Sequence, residues 1–220
     1  MSCGPTCLHA VYQYYGDEIS LTNVIGEVAQ LTSGGTIGVL LGNHALERGY
    51  KVTIYTYNLS TFDPSWFDGT TDIAEKLRLQ LAAKPNSKKL ALATSEYLEF
   101  LRRGGKIAFK ELTPSFIRQF LRSGLPVLTG LNATYLYESP REIGDFEIRF
   151  DDVAGTASGH FVVIRGYNEK EVFIADPLAD NPLGNKQHYS ISFHKLINSI
   201  MLGVMTYDAN LLIIHPKNHD

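Results

Sequence analysis

The stretch Gly159-His160-Phe161-Val162-Val163-Ile164-Arg165-Gly166-Tyr167-Asn168-Glu169-Lys170-Glu171-Val172-Phe173-Ile174-Ala175-Asp176-Pro177 reads as two apolar strands joined by a tight turn. β-Branched and aromatic residues fill both arms, and Tyr167-Asn168-Glu169 makes a three-residue hairpin loop between them. A turn centred on Asn168 sets His160 opposite Asp176, Val162 opposite Ile174 and Ile164 opposite Val172. Opposed residues share a face of a sheet, with Cβ atoms about 4.5 to 5.5 Å apart. The hairpin therefore predicts a carboxylate within reach of an imidazole, on a face anchored by four aliphatic side chains. Pro177 ends the returning strand and holds Asp176 extended.

Outward from this hairpin, strands are expected over 126–131, 146–150, 188–191 and 211–215, and one earlier strand over 51–57. The N-terminal part has helical periodicity instead. Cys7, Leu8, Val11, Tyr12 and Tyr15 recur at three- and four-residue steps, with Gly16 as a stop. Leu21 to Ala29 and Ile37 to Ala45 repeat the pattern, His44 lying among apolar neighbours as a core histidine. Two further helices are expected over 72–83 and 89–103, split by Lys84-Pro85-Asn86-Ser87. Thr113-Pro114 supplies a cap and a first-turn proline for a helix carrying Phe116, Ile117, Phe120 and Leu121, which Gly124 stops. Helices first and an antiparallel sheet later describe an α+β fold. The 220 residues are read as one domain, with a helical insertion at about 61–105.

Composition narrows the function classes. The chain is 44% hydrophobic and 20% charged with a formal net charge of -3, a balance without the basic field that nucleic acid requires. No apolar run reaches the roughly 20 residues of a membrane helix, and no signal-peptide pattern opens the chain, so a cytoplasmic protein is expected. Two cysteines, Cys3 and Cys7, make neither a disulfide framework nor a zinc site. His9, His188, His194, His215 and His219 have no ligand spacing. Tyr135 and Tyr137 alternate with apolar partners as packed strand residues or cleft lining, and Asp151-Asp152 reads as a solvated pair.

Cys3 is the thiol with a chemical setting. Pro5 marks N1 of the first helix and Gly4 its cap, which leaves Cys3 at the positive end, where a thiolate is favoured. Cys7, one turn on, faces the core. A thiol joined to the His160/Asp176 pair forms a Cys-His-Asp set: His160 takes the thiol proton and later protonates a leaving amine, and Asp176 fixes the tautomer. The oxyanion that follows needs donors, of which the Cys3 backbone N–H is one candidate.

Taken in order, Cys3-Gly4-Pro5-Thr6-Cys7-Leu8, Tyr14-Tyr15-Gly16, Gly34-Gly35-Thr36, Gly124-Leu125-Pro126-Val127, Gly159-His160-Phe161-Val162-Val163 and Ala175-Asp176-Pro177 resemble a known family. It is that of the bacteriocin-processing, double-glycine leader peptidases and their stand-alone relatives in the papain-like cysteine peptidase superfamily. The resemblance implies a papain-like fold, with a helical N-terminal half carrying Cys3 packed on a C-terminal antiparallel sheet carrying His160 and Asp176. It implies a cysteine peptidase or thiol amide hydrolase that works on a peptide-like substrate through an acyl-enzyme, without cofactor or metal. The family also places an oxyanion-hole glutamine about six residues before the nucleophile, ahead of Met1 in this numbering. That position leaves three readings open: a start codon placed too late, another donor in the role, or a domain kept for binding peptides. An acyl-transferring, transpeptidase-type enzyme is a further alternative.

Overall fold

The structure, a computed structural model, describes residues 2–31, 35–144 and 148–217. Gly34, Phe146 and His219 lie outside the described residues. Three helices, α1 (Cys3–Tyr14), α2 (Leu21–Glu27) and α3 (Gly38–Glu47), precede strand β1 (Tyr50–Thr56). Then come α4 (Ile73–Ala83), α5 (Lys88–Arg102), β2 (Lys106–Ala108) and α6 (Pro114–Arg122). The remainder comprises β3 (Val127–Asn132), α7 (Ala133–Tyr137), β4 (Glu142–Ile143), β5 (Arg149–Phe150), β6 (Gly159–Tyr167), β7 (Glu171–Ala175), β8 (His188–Ser192), α8 (Phe193–Leu202) and β9 (Asn210–Pro216). The fold is α+β, and no helix among the described residues is long and apolar enough to cross a membrane.

Capping follows the sequence at most helix starts. Thr113 Oγ1 accepts the Phe116 N–H at 3.2 Å with Pro114 in the first turn, and Asp72, Ser87 and Ser192 cap α4, α5 and α8 in the same way. Helix α1 begins earlier than Pro5 predicts. Its first residue is Cys3, Ser2 sits at the N-cap, and the Thr6 N–H reaches the Ser2 carbonyl at 2.9 Å. Proline is tolerated throughout the first turn, because none of the N–H groups there has an intrahelical partner, so Pro5 marks the turn and not its first position.

Seven strands form one sheet in the order β2-β1-β9-β3-β6-β7-β8. Every pairing is antiparallel except β1 with β2, so the sheet takes two strands from the first half of the chain. Both faces are covered. Leu8 and Val11 of α1, Leu41 of α3 and Phe100 of α5 pack with Leu128, Phe161, Val163 and Leu212 on one side. On the other, Ile117 and Phe120 of α6 and Leu196 and Ile200 of α8 meet Leu131, Val162, Ile164 and Leu211. Strands β3, β6 and β9 are buried on both faces, which is why they read as continuous apolar runs instead of alternating ones.

The β6–β7 hairpin forms with a register different from the expected one. Ile164 lies opposite Ile174 and Tyr167 opposite Val172, with a shift between Ile164 and Gly166. The turn sits further along the chain than Asn168-centred pairing predicts, with the Asn168 N–H bonded to the Glu171 carbonyl at 2.9 Å. The irregularity at Arg165 takes one residue back, and the net slip is two. Side chains alternate with a period of two, so an even slip changes partners without changing faces. His160 and Asp176 become diagonal neighbours and still share a face.

Candidate active site

Three elements bring Cys3, His160 and Asp176 together: the first residue of α1, the second residue of β6 and the residue just past β7. His160 Nε2 lies 2.8 Å from Asp176 Oδ1, which leaves Nδ1 for the Cys3 thiol. Burial acts to raise the Cys3 pKa, but the hydrogen bond and charge of His160 outweigh it, aided by backbone groups of Phe161 and Gly4, and the thiol ends below its ordinary range. Burial likewise opposes the imidazolium, yet the hydrogen bonds to Asp176 and Cys3 carry His160 up to about 9. Both shifts favour the thiolate–imidazolium form of the pair.

Cys7, a turn later, is in the opposite state. It is 2% exposed, its Sγ donates to the Phe161 carbonyl at 3.2 Å, and burial, followed by the charges of Cys3 and Asp176, pushes its pKa well up. His44 is the satisfied core histidine that its neighbours predict, with Nδ1 2.8 Å from the Tyr12 hydroxyl and Nε2 3.1 Å from Glu27 Oε2. Asp151 is a turn former more than a solvated charge, since its Oδ1 accepts the N–H groups of Val153 and Ala154.

The carboxylate of Asp176 is held by more than its histidine. Oδ1 also accepts the Leu178 N–H at 2.9 Å, and Oδ2 accepts the hydroxyls of Tyr137 and Tyr189, each at 2.7 Å. Burial raises the pKa of this carboxyl, and the bond from His160, with those from Tyr189 and Leu178, more than reverses it. Tyr137 lies in helix α7 and not in the strand its alternation predicts. Seen end-on from α7, it delivers its hydroxyl across the cleft. A helix of one turn is too short to show a period of 3.6. Tyr189 faces Ile174 across β7 and β8, a position that only the true register reveals.

These two tyrosines motivate a direct prediction. Tyr137→Phe and Tyr189→Phe each remove one donor from a buried anion, a bond of about 1.5 to 3 kcal/mol. Either variant is expected to raise the Asp176 pKa and move the acid limb of Cys3 alkylation to higher pH, with the double variant further displaced. Iodoacetamide labelling across pH 3 to 7 reads the shift directly, and an unmoved limb rejects the role of the tyrosines.

A second acid stands nearby. Asp208 is 6% exposed, its Oδ1 has no partner among the described residues, and burial, then the Cys3 charge, pushes its carboxyl well up. Both effects favour its neutral form. Gly159 makes the approach possible, since a Cβ there would stand 2.5 Å from Asp208 Oδ2. Nothing in the sequence near Tyr207-Asp208 marks this residue.

Cys3 and His160 open onto a cavity of about 240 Å³, walled by Tyr137, Pro177, Leu178 and Glu142 among others. The arrangement can form and break an acyl–sulfur bond while moving a proton between sulfur, imidazole and a leaving group.

The model of the Peptidase_C39 like family matches residues 93–199, just under half of the chain. The matched stretch includes His160 and Asp176 and stops short of Cys3. No curated protein matches the sequence. A crystal structure from Bacillus anthracis, described as that of a C39-like peptidase, is similar over 98% of this chain and 89% of that one, at 13% identity and a TM-score of 0.49.

Proposed function

We propose that this chain is a cysteine peptidase or thiol amide hydrolase, with Cys3 as nucleophile, His160 as general base and acid, and Asp176 as orienter. The observation that carries the reading is the hydrogen-bonded line from thiol to imidazole to carboxylate, with the thiol pKa lowered and the imidazole raised. The family match over 93–199 supports a peptide as the substrate. In this mechanism the Cys3 thiolate attacks the carbonyl carbon and the C=O electrons move to oxygen. The Cys3 N–H, unpaired at the helix start, is a donor for that oxyanion. As the C–N bond breaks, His160 gives its proton to the leaving nitrogen and a thioester remains. Water then attacks the thioester, passes a proton to His160, and frees the acid and the thiolate.

The same thioester could pass to an amine, as in a transpeptidase, or the domain could bind peptides without turnover. One experiment separates the three. The protein is incubated with a fluorogenic peptide library, with and without added amine, and Cys3 is followed by intact mass. Hydrolysis predicts free acids and a transient thioester adduct that Cys3→Ala abolishes, with turnover falling by about 10⁴-fold or more. Amide adducts at modest amine concentration indicate transfer, and turnover unchanged in Cys3→Ala refutes both enzymatic readings. We further propose one domain over 1–220, with 61–105 as a helical insertion, working in the cytoplasm, where its two free thiols stay reduced.

A further inference from the structure

The cavity beside Cys3 carries one charged side chain that the proposed chemistry does not use. Glu142, on the short strand β4, lines the same cavity as Cys3 and His160. Its backbone is fixed by reciprocal bonds with Thr156, the Glu142 N–H to the Thr156 carbonyl at 3.0 Å and the Thr156 N–H to the Glu142 carbonyl at 2.9 Å. Its Oε1 accepts the Ser158 hydroxyl at 2.9 Å, and the Ser158 N–H is itself bonded to Thr134 Oγ1 at 3.1 Å. The carboxylate is thus held in place at the cavity wall by a neutral donor, not left to swing in solvent.

No ion pair among the described residues involves Glu142. Arg141, the adjacent cation, turns away and donates to the carbonyl oxygens of Asp152 and Val153. The titratable side chains here are thus two acids and a thiol, Asp176, Glu142 and Cys3, against one base, His160. The remaining wall is largely apolar, with Ala133, Ile148, Pro177 and Leu178. A largely apolar cavity wall that carries a carboxylate outside any ion pair among the described residues matches a side chain with an aliphatic stem and a cationic head.

We infer that Glu142 selects substrates with a lysine or arginine side chain near the scissile bond. This inference rests on the reading of Cys3 as the nucleophile. Glu142 touches the substrate and not the reacting atoms, so it sets specificity and does not share in the bond-breaking steps.

Small thiol reagents test the charge preference without a known peptide. Methanethiosulfonates with ammonium, neutral and sulfonate ends differ little but in charge. In each, the thiolate displaces methanesulfinate and gains the reagent's thioalkyl group in a disulfide. Rates at Cys3 are read by mass spectrometry at pH 6.5, with the urea-unfolded chain as the reference for intrinsic reactivity. The ammonium-to-sulfonate rate ratio of the folded protein is expected to exceed the unfolded ratio by about tenfold or more, the scale of one unit charge at cavity distances. Glu142→Gln, which keeps a partner for Ser158, should remove most of that excess, and Glu142→Lys should invert it. Glu75→Gln, an exposed acid on α4, should leave it unchanged. An equal ratio in folded and unfolded protein, or an excess that survives Glu142→Gln, overturns the inference. The neutral reagent reports separately on whether Cys3 is activated, so a failure of the nucleophile reading is distinguishable from a failure of charge selection.

Discussion

His160→Ala is expected to cut turnover by about 10⁴-fold or more and to change the pH dependence of Cys3 from a plateau to a slope. In the intact site the imidazolium, charged until about pH 9, favours the thiolate from mildly acidic pH upward. Alkylation by iodoacetamide should therefore be nearly flat across that range, with Cys3 labelled far faster than the buried Cys7. Without His160, the burial that opposes the thiolate is countered only by the backbone groups of Phe161 and Gly4. The rate should then climb about tenfold per pH unit through the same range, as an ordinary or raised thiol does, and the advantage over Cys7 at mildly acidic pH should disappear. The stability of the protein should move with it. The raised pKa of His160 contributes stability that is present below its unfolded value of about 6.5 and is lost as pH rises through about 9. The depressed carboxyl of Asp176 contributes the opposite limb, present above about 3.9 and lost as pH falls through its folded value. A plateau that persists in His160→Ala would show that the helix end alone activates the thiol.

The second large effect is structural. Gly130→Val is expected to destabilise the fold by about 3 kcal/mol, a loss of about 6 to 12 °C in Tm for a chain of this size. Gly130 lies in the middle of β3, opposite Phe161 on β6 and Asn210 on β9. A Cβ there would stand 2.4 Å from the Asp208 carbonyl oxygen and 3.1 Å from Phe161 Cε1. The crossing backbone has little freedom to retreat, since the Asp208 N–H is bonded to the Gly203 carbonyl at 2.9 Å and the Asn210 N–H to the Asp208 carbonyl at 2.8 Å. The strain falls next to Leu131, the partner of His160, so labelling of Cys3 should slow even where the variant still folds. Thermal denaturation followed by circular dichroism measures the first effect, and an unchanged Tm would mean that β9 yields easily.

Where sequence and structure agree, the reason is periodicity over enough residues. Helix α6 has a cap, a proline and two turns of apolar spacing, and it forms where these place it. The pairing of His160 with Asp176 survived an error of register because the error was even, and an odd slip would have sent the carboxylate to the other face. Other elements leave no comparable trace. Strand β2 has three residues, and α7 has one turn, so neither shows a period. The layer on the second face needs α8, whose Phe193, Leu196 and Ile200 have helical spacing but sit directly against the apolar end of β8. Tyr189, Glu142 and Asp208 reach the site from distant parts of the chain through sheet pairing and a loop. Their roles depend on three-dimensional register, which local pattern does not encode.

The position of β9 bears on how the site is held together. It lies between β1 and β3, paired along seven residues with the one and four with the other, although it is the last strand in chain order. Without β9, β2 with β1 and β3 with its partners would be two half-sheets, each with an open apolar edge. Helix α1 packs on β6 and β3 of one half, in the same core cluster as Leu212 and Ile214 of β9. The platform that carries His160 is therefore joined to the β1–β2 pair only through β9, so disrupting β9 is expected to loosen the site from a strand that supplies none of its three central residues.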